Sequence, residues 1–282
     1  MNIINMYLSI GVIILLGFQS KNSKQNTIMP VTRRENTMLC VYRLTYQPDS
    51  NSTNVKTDYL KLLSSNGVSR FQSQSSRSRD SLTDLIVMQH RIQGGTNKIL
   101  TNQLYTLSFT DFRYLIYKDV AAAKVEYYDW VGSKLYHYQE KMPLFRWTLT
   151  PATVTIAGYT CQRATTTFAG RKYEAWFTRE IPVSDGPYKF CGLPGLIVKI
   201  QDVRGQYIFE LTKLSQLAGT ADVSLPAKPA AVATKAQLYQ GQQVYNLTLL
   251  NQAGAMGNSI SVASQQAHKE RLKKRNNPLE LK

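Results

Sequence analysis

Residues 181–200 read IPVSDGPYKFCGLPGLIVKI, and the way this stretch enters the apolar run at its end decides the fold. Two turn-forming clusters, Asp185-Gly186-Pro187 and Gly192-Leu193-Pro194-Gly195, flank a short aromatic and basic insert, Tyr188-Lys189-Phe190. Pro194-Gly195 suits the centre of a type II turn, because proline presets φ and glycine accepts a positive one. Leu193, preceding a proline, is pushed towards extended conformations. Leu196, Val198 and Ile200 then alternate with Lys199 and Gln201, the period of a strand with one face buried. The stretch therefore reads as a shaped, rigid loop delivering the chain into a strand.

Strand signals surround it. Residues 156–168 and 172–178 form the clearest hairpin, turning at Ala169-Gly170-Arg171, and 196–201 with 207–211 form another through Arg204-Gly205. Upstream, 38–46, 57–63 and 68–74 alternate as strands, the last two joined through Asn66-Gly67, a strong hairpin signal. Residues 112–117, 124–130, 134–140 and 145–149 continue the pattern, rich in tyrosine. Two segments change period. Residues 77–91 predict a helix with Asp80 or Ser81 at its N-cap and Gly94-Gly95 beyond its end, and 235–250 predict another, weakened by Gly241. The fold class is mainly β (α+β): a curved antiparallel sheet, half-barrel or barrel, resembling periplasmic lipoprotein-carrier folds, with a few helices against it.

The chain of 282 residues divides into four expected regions. Residues 1–20 hold about a dozen mostly apolar residues, the length of a signal-peptide core and too short to span a bilayer, which implies export. Residues 21–37 are a polar, flexible segment, and 38–220 the β domain. Residues 221–282 are an extension with a linker at 225–233 and a basic helix at 265–275. Net charge is +16, but lysine and arginine are scattered along the chain, which argues against a nucleic-acid groove. A contact with an acidic surface through the basic helix is the alternative to a merely solvated one.

Three cysteines and three histidines show no metal-ligand spacing, so neither a metal nor a cofactor is expected. In an exported chain one disulfide plus one thiol is one arrangement, with Cys161 and Cys191 as the pair; three buried thiols is the other. No nucleophile elbow, zinc-protease motif or P-loop is present. Asp185 and Lys189 have acid–base chemistry, but turn stabilisation and solvation are their simpler roles.

Gly158-Tyr159-x-Cys161, Gly170-Arg171-x-Tyr173-x-Ala175-Trp176-Phe177, Ile181-Pro182, Gly186-Pro187-Tyr188-Lys189-Phe190 and Gly192-Leu193-Pro194-Gly195-Leu196-Ile197 occur in this order. With them the chain resembles the GLPGLI family, exported bacterial envelope proteins named for that hexapeptide. The match covers roughly 42–211, and the ending 275–281 also looks like the family's. The resemblance implies export but no reaction, so no catalytic residue is carried over; Cys191 is a departure from the family pattern.

Together these features describe a non-catalytic ligand- or partner-binding module of the envelope, carrier- or chaperone-like, whose partner is an envelope protein, peptide or lipid. A structural or interaction protein of the cell surface is the alternative, and a hydrolytic enzyme with an unrecognised site the third. Tyr188, Lys189, Phe190 and Leu193 are the candidate contact residues, while Gly186, Pro187, Gly192, Pro194, Gly195 and Leu196 shape the loop. A barrel-end plug formed by the same side chains is the competing reading.

Overall fold

The computed structural model describes residues 36–255 except 96, 108, 109, 219–222 and 227, together with 266, 270 and 272–281. The export segment at 1–20 lies outside the described residues, as does part of the basic helix at 265–275, of which Gln266, Glu270, Leu272 and Lys273 are described and helical.

Alternation builds the strands. In β1 (Asn36–Tyr46) Met38, Cys40, Tyr42, Leu44 and Tyr46 are all buried along one face. It is followed by β2 (Lys56–Ser65) and β3 (Val68–Ser73), joined at Asn66-Gly67 with φ of 51° and 80°. Two positive φ values are what a two-residue type I′ turn requires, and they match the twist of the flanking strands. Helices α1 (Gln74–Gln93) and α2 (Lys98–Thr106) intervene before β4 (Leu115–Asp119), β5 (Lys124–Val131) and β6 (Lys134–Lys141). A second series follows: β7 (Thr148–Ile156), β8 (Tyr159–Phe168), β9 (Arg171–Thr178), β10 (Leu196–Asp202) and β11 (Tyr207–Ala218). The two-residue β12 (Ala231–Val232) and helix α3 (Lys235–Ala255) complete the described elements.

Several boundaries differ from expectation, each for a physical reason. The expected strands 145–149 and 156–168 are instead β7 and β8, split at Ala157-Gly158 with φ of 51° and 84°. Strand β7 is an edge strand, mostly exposed and threonine-rich, so it carries no apolar period to read and tolerates Pro151. Helix α1 starts at an N-cap on Ser73, whose hydroxyl accepts from the Ser76 N–H, rather than at Asp80 or Ser81. The serine- and arginine-rich first turns hide that start. Helix α2, unexpected, is capped by the Asn97 side chain, which accepts from the N–H groups of Ile99 and Leu100 at 3.0 and 3.1 Å.

All twelve strands form one open sheet in the order β12-β6-β5-β4-β3-β2-β1-β11-β10-β9-β8-β7. Two antiparallel series meet at the long β1–β11 ladder, and among the described residues only the short β12–β6 pair is parallel. The sheet is strongly curved. Tyr138 on β6 and Phe168 on β8 stand nine strand positions apart. In a flat sheet that is roughly 43 Å. Yet the Lys189 ammonium lies 5.1 Å from one ring and 5.9 Å from the other, so the sheet wraps around the loop between β9 and β10.

That loop enters β10 through a turn tighter than type II. The Gly195 N–H bonds the Leu193 carbonyl at 2.8 Å, a three-residue turn, while the Leu196 N–H bonds the Ile181 carbonyl at 3.1 Å. Glycine is required at 195 by proximity. A Cβ there would stand 2.0 Å from the Thr178 carbonyl oxygen, with φ at +153°. Gly195→Ala should therefore destabilise the fold by about 2 kcal/mol or more, read as a lower urea midpoint; an unchanged midpoint would refute the close approach.

Candidate functional site

The loop 181–195 holds its own shape. The Phe190 N–H bonds the Pro187 carbonyl at 3.0 Å, Ile197 N–H bonds the Asp185 carbonyl at 2.9 Å, and the Trp147 indole bonds the Cys191 carbonyl at 2.8 Å. Tyr188 sits at φ 54°, a left-handed conformation rare for an aromatic residue, and this directs the insert inward. Gly186 is forced by space, because a Cβ there would lie 2.8 Å from the Ile197 Cβ.

Two buried lysines pin the loop from either side. Lys118 of β4 pairs with Asp185 at 2.5 Å and donates to the Gly186 carbonyl at 2.7 Å and the Tyr188 carbonyl at 3.1 Å. The Asp185 carboxylate also accepts the Gly186 N–H at 2.8 Å, so its role is to hold a turn. Lys189 is fully buried rather than solvated. Its ammonium contacts Glu140 at 2.5 Å, Glu280 at 2.6 Å and the Tyr138 hydroxyl at 2.9 Å, beneath the rings of Tyr127, Tyr138, Tyr188 and Phe168. Aromatic faces and carboxylates together offset the cost of taking an ammonium out of water.

Glu280 belongs to a C-terminal strap that crosses the concave side. Arg171 of β9 donates to the Pro278 carbonyl at 2.7 Å and to Asn277, and pairs with Asp202 at 3.2 Å. Tyr207 donates to the Asn277 carbonyl at 2.6 Å, Tyr173 to the Leu279 carbonyl at 3.0 Å, and the Leu281 N–H to the Ala169 carbonyl at 2.8 Å. Tyr188 and Lys235 both contact the Glu280 carboxylate. Burial raises the Glu280 carboxyl, but the Lys189 charge and hydrogen bonds from Lys189, Lys235 and Tyr188 outweigh it and hold the group below its ordinary range.

Between the strap, α3 and the sheet lies a cavity of about 510 Å³. Six tyrosines line it, among them Tyr46, Tyr114, Tyr127 and Tyr188, and polar groups enter from Asp111, Asp129, Arg275 and, on α3, Gln242, Gln243 and Asn246. Its aromatic wall is continuous: Tyr46 to Phe112 at 4.7 Å, Phe112 to Tyr114 at 5.8 Å, Tyr114 to Tyr127 at 5.4 Å and Tyr114 to Tyr188 at 5.5 Å. Burial pushes the Tyr114, Tyr127 and Tyr188 hydroxyls well above their ordinary range, so they act as neutral hydrogen-bonding groups. Burial also raises the Asp129 carboxyl, against hydrogen bonds that favour its charged form. Among the described residues no three metal-ligating side chains gather at one point.

Of the four candidate contact residues, Tyr188 lines this cavity, while Lys189, Phe190 and Leu193 are buried in the core. Phe190 packs between Tyr173 at 4.8 Å and Phe145 at 5.0 Å. Cys161 and Cys191 are thiols in the structure, as is Cys40, and all three are buried. Burial pushes Cys40 up to about 12 and Cys191 up to about 11, and raises Cys161 as well. Sequence reasoning passed over Lys118, Asp129 and Glu280, and took Arg171 only as a turn and motif residue. Tyr114 and Tyr127 were visible only as part of a tyrosine-rich stretch; the strap's lone glutamate carries no local signal.

With the geometry in place, a model of the family described as "Protein of unknown function (Porph_ging)" matches residues 168–199, the end of β8 through most of β10. No match to the chain was found among curated proteins. Among solved structures, PNGF-II in two crystal forms aligns with 75% of this chain at TM-scores of 0.53 and 0.52 and identities of 13% and 14%. The aligned part is 33% and 34% of those chains, about a third of their length, and the likeness concerns fold alone. MucB in complex with MucA(peri) aligns with 71% of this chain and 58% of its own at 11% identity, with a TM-score of 0.30, too low to support an argument.

Glu280→Gln should cost about 3 kcal/mol, because it leaves a buried ammonium short of one carboxylate. A carboxyl held below its ordinary value contributes stability that is complete above the unfolded value of about 4.3 and is lost as pH falls through the folded one. The wild-type urea midpoint should thus fall on acidification below about pH 4.5 more steeply than that of Glu280→Gln; parallel curves would refute the linkage. For the cysteines, native protein should resist thiol reagents at all three positions, and denaturation without reductant should expose three reactive thiols. A single labelled site would show a Cys161–Cys191 bridge.

Proposed function

We propose that this chain is an exported envelope protein of GLPGLI type that acts as a non-catalytic ligand- or partner-binding module, with the cavity behind Tyr188 as its binding site. The observation that carries the reading is a roomy, aromatic-walled hollow on the concave side of a curved sheet, rimmed by a few polar side chains. This is the composition of a small-molecule pocket, and its volume falls within the usual 300–1,000 Å³. The wall is rigid: buried ion pairs hold the sheet side, while α3 contributes Gln242, Gln243 and Asn246 from a single element. No helix among the described residues is long and apolar enough to cross a membrane. Lys189 acts as the internal brace beneath the pocket, and Phe190 and Leu193 as its packing.

A second reading, an interaction protein of the cell surface, draws on one feature. Leu85, Met88 and Ile92 form an exposed stripe along α1 at helical spacing. The two readings separate in one experiment. Protein purified from its native envelope and sprayed under non-denaturing conditions should carry a small bound species. That mass should vanish in Asn246→Trp, which fills the mouth, and persist in Met88→Ser. Loss with Met88→Ser alone would move the function to the helix, and a bare chain in every preparation would sink the pocket reading.

A further inference from the structure

The cavity's charge runs against that of the chain. The whole sequence holds 34 basic and 18 acidic residues, yet the cavity is lined by Asp111, Asp129 and Glu280 against Arg275 alone. Two of these acids already have cations. Asp111 is paired with Lys56 at 2.9 Å and with Arg275, and Glu280 with Lys189 and Lys235. Asp129 differs. Its hydrogen-bond donors are neutral: the Trp130 N–H at 2.7 Å, the Tyr127 hydroxyl at 3.4 Å and the Gln242 side chain. Arg113 acts on it from a distance while its guanidinium lies over the Trp130 ring at 5.8 Å, and among the described residues the contacts of Asp129 are hydrogen bonds from neutral groups.

A second and independent observation sits in the same wall. Tyr114 is only 6% exposed and lines the cavity, yet its hydroxyl has no hydrogen-bond partner among the described residues. Buried polar groups are nearly always satisfied, so an orphan of this kind needs an explanation, and a ligand is one. Around these two groups stand the side chains of Tyr46, Tyr127, Tyr188 and Tyr207, the last with the Arg171 guanidinium over its ring at 5.1 Å. The molecule shows what such rings accept, for Tyr127 and Tyr188 each hold the Lys189 ammonium at 5.1 and 5.5 Å. Aromatic faces are negative, so space lined by tyrosines suits a cation.

Building on the binding-module reading, we propose that the cavity is a site for an organic ammonium ion, with Asp129 as its counter-ion, the tyrosine faces as its walls and the Tyr114 hydroxyl as a hydrogen-bond acceptor for an N–H of the ligand. The net charge of the protein does not forbid this, because surface charges are screened over about 8 Å at physiological salt whereas the carboxylate and rings act in contact. A free amine and a lysine side chain present the same group, and the probes distinguish them.

The test is calorimetric titration of the full chain at pH 7 and 0.15 M salt with benzylammonium, benzyltrimethylammonium, benzyl alcohol, benzoate and the tripeptide Gly-Lys-Gly. Saturable one-site binding of the cations is expected, at least tenfold tighter than benzyl alcohol or benzoate. Asp129→Asn should weaken the cations at least tenfold without lowering the melting temperature, whereas the surface control Asp84→Asn should change nothing. Tyr114→Phe should weaken benzylammonium several-fold and leave benzyltrimethylammonium, which has no N–H, unaffected. Gly-Lys-Gly binding more tightly than benzylammonium would assign the group to a peptide; the reverse would assign it to a free amine. Equal or tighter binding of benzyl alcohol or benzoate would overturn the charge preference and leave a binding module with another ligand. Cation binding untouched by Asp129→Asn, or no binding of any probe, would overturn the site; the binding-module reading then falls only if native protein also carries no bound species.

Discussion

One ammonium group organises the molecule. Lys189 lies with no exposure at the place where three parts of the chain arrive separately: the loop before β10, the inner face of β6 and the C-terminal strap. A buried charge must be met on all sides, and here Glu140, Glu280, the Tyr138 hydroxyl and a shell of aromatic rings meet it. If any one of these is displaced, the ammonium is left partly unpaired in a low-dielectric interior, which costs several kcal/mol. The curvature of the sheet follows from this, because strands nine positions apart must close on a single side chain.

Buried ion pairs are a weak source of net stability, since desolvation offsets most of the attraction, but they select one arrangement over others. The concave side uses the device three times, with Lys118–Asp185, Lys189–Glu280 and Arg171–Asp202. Each pair also reaches backbone carbonyls or the strap. Lys118 reads the carbonyls of Gly186 and Tyr188, and Arg171 reads that of Pro278. The apolar packing around Phe190, Tyr173 and Phe145 supplies burial energy whatever the exact register, whereas the three cations admit one path for the loop and one for the strap.

The strands were readable where one face is buried and the other wet. Tyr42, Leu44 and Leu60 in the first series and Leu196, Val198 and Ile200 in the second keep the period of two, and Asn66-Gly67 fixes its hairpin. Legibility failed at β7, an edge strand with little buried face, and at α2, whose start rests on a single asparagine cap. The loop itself was readable as rigid, yet Lys189 was not readable as buried: a lysine among turn residues defaults to solvent, and what reverses that default is Glu280, more than ninety residues further along. The partners of a charge are long-range facts of the fold, and no local pattern encodes them. Tyr114 and Asp129 were hidden likewise, because the significance of each lies in what fails to pair with it.

The rigidity of the loop bears on where selectivity can reside. Tyr188 contributes its ring to the cavity from a backbone that Lys118 and the turn glycines do not allow to shift. A wall of that kind sets the shape of a pocket but cannot adapt to its occupant. The opposite wall is α3, which packs on β5 and β6, reaches the strap through Lys235 and Glu280, and places Gln242, Gln243 and Asn246 at the rim, with Gln243 exposed. Amide side chains at a rim exchange partners at little cost, while the braced aromatic floor stays fixed. The loop that marks the sequence so clearly is thus the foundation of the cavity, and on the proposed reading substitutions on α3 are the ones that would change what it accepts without disturbing the fold beneath it.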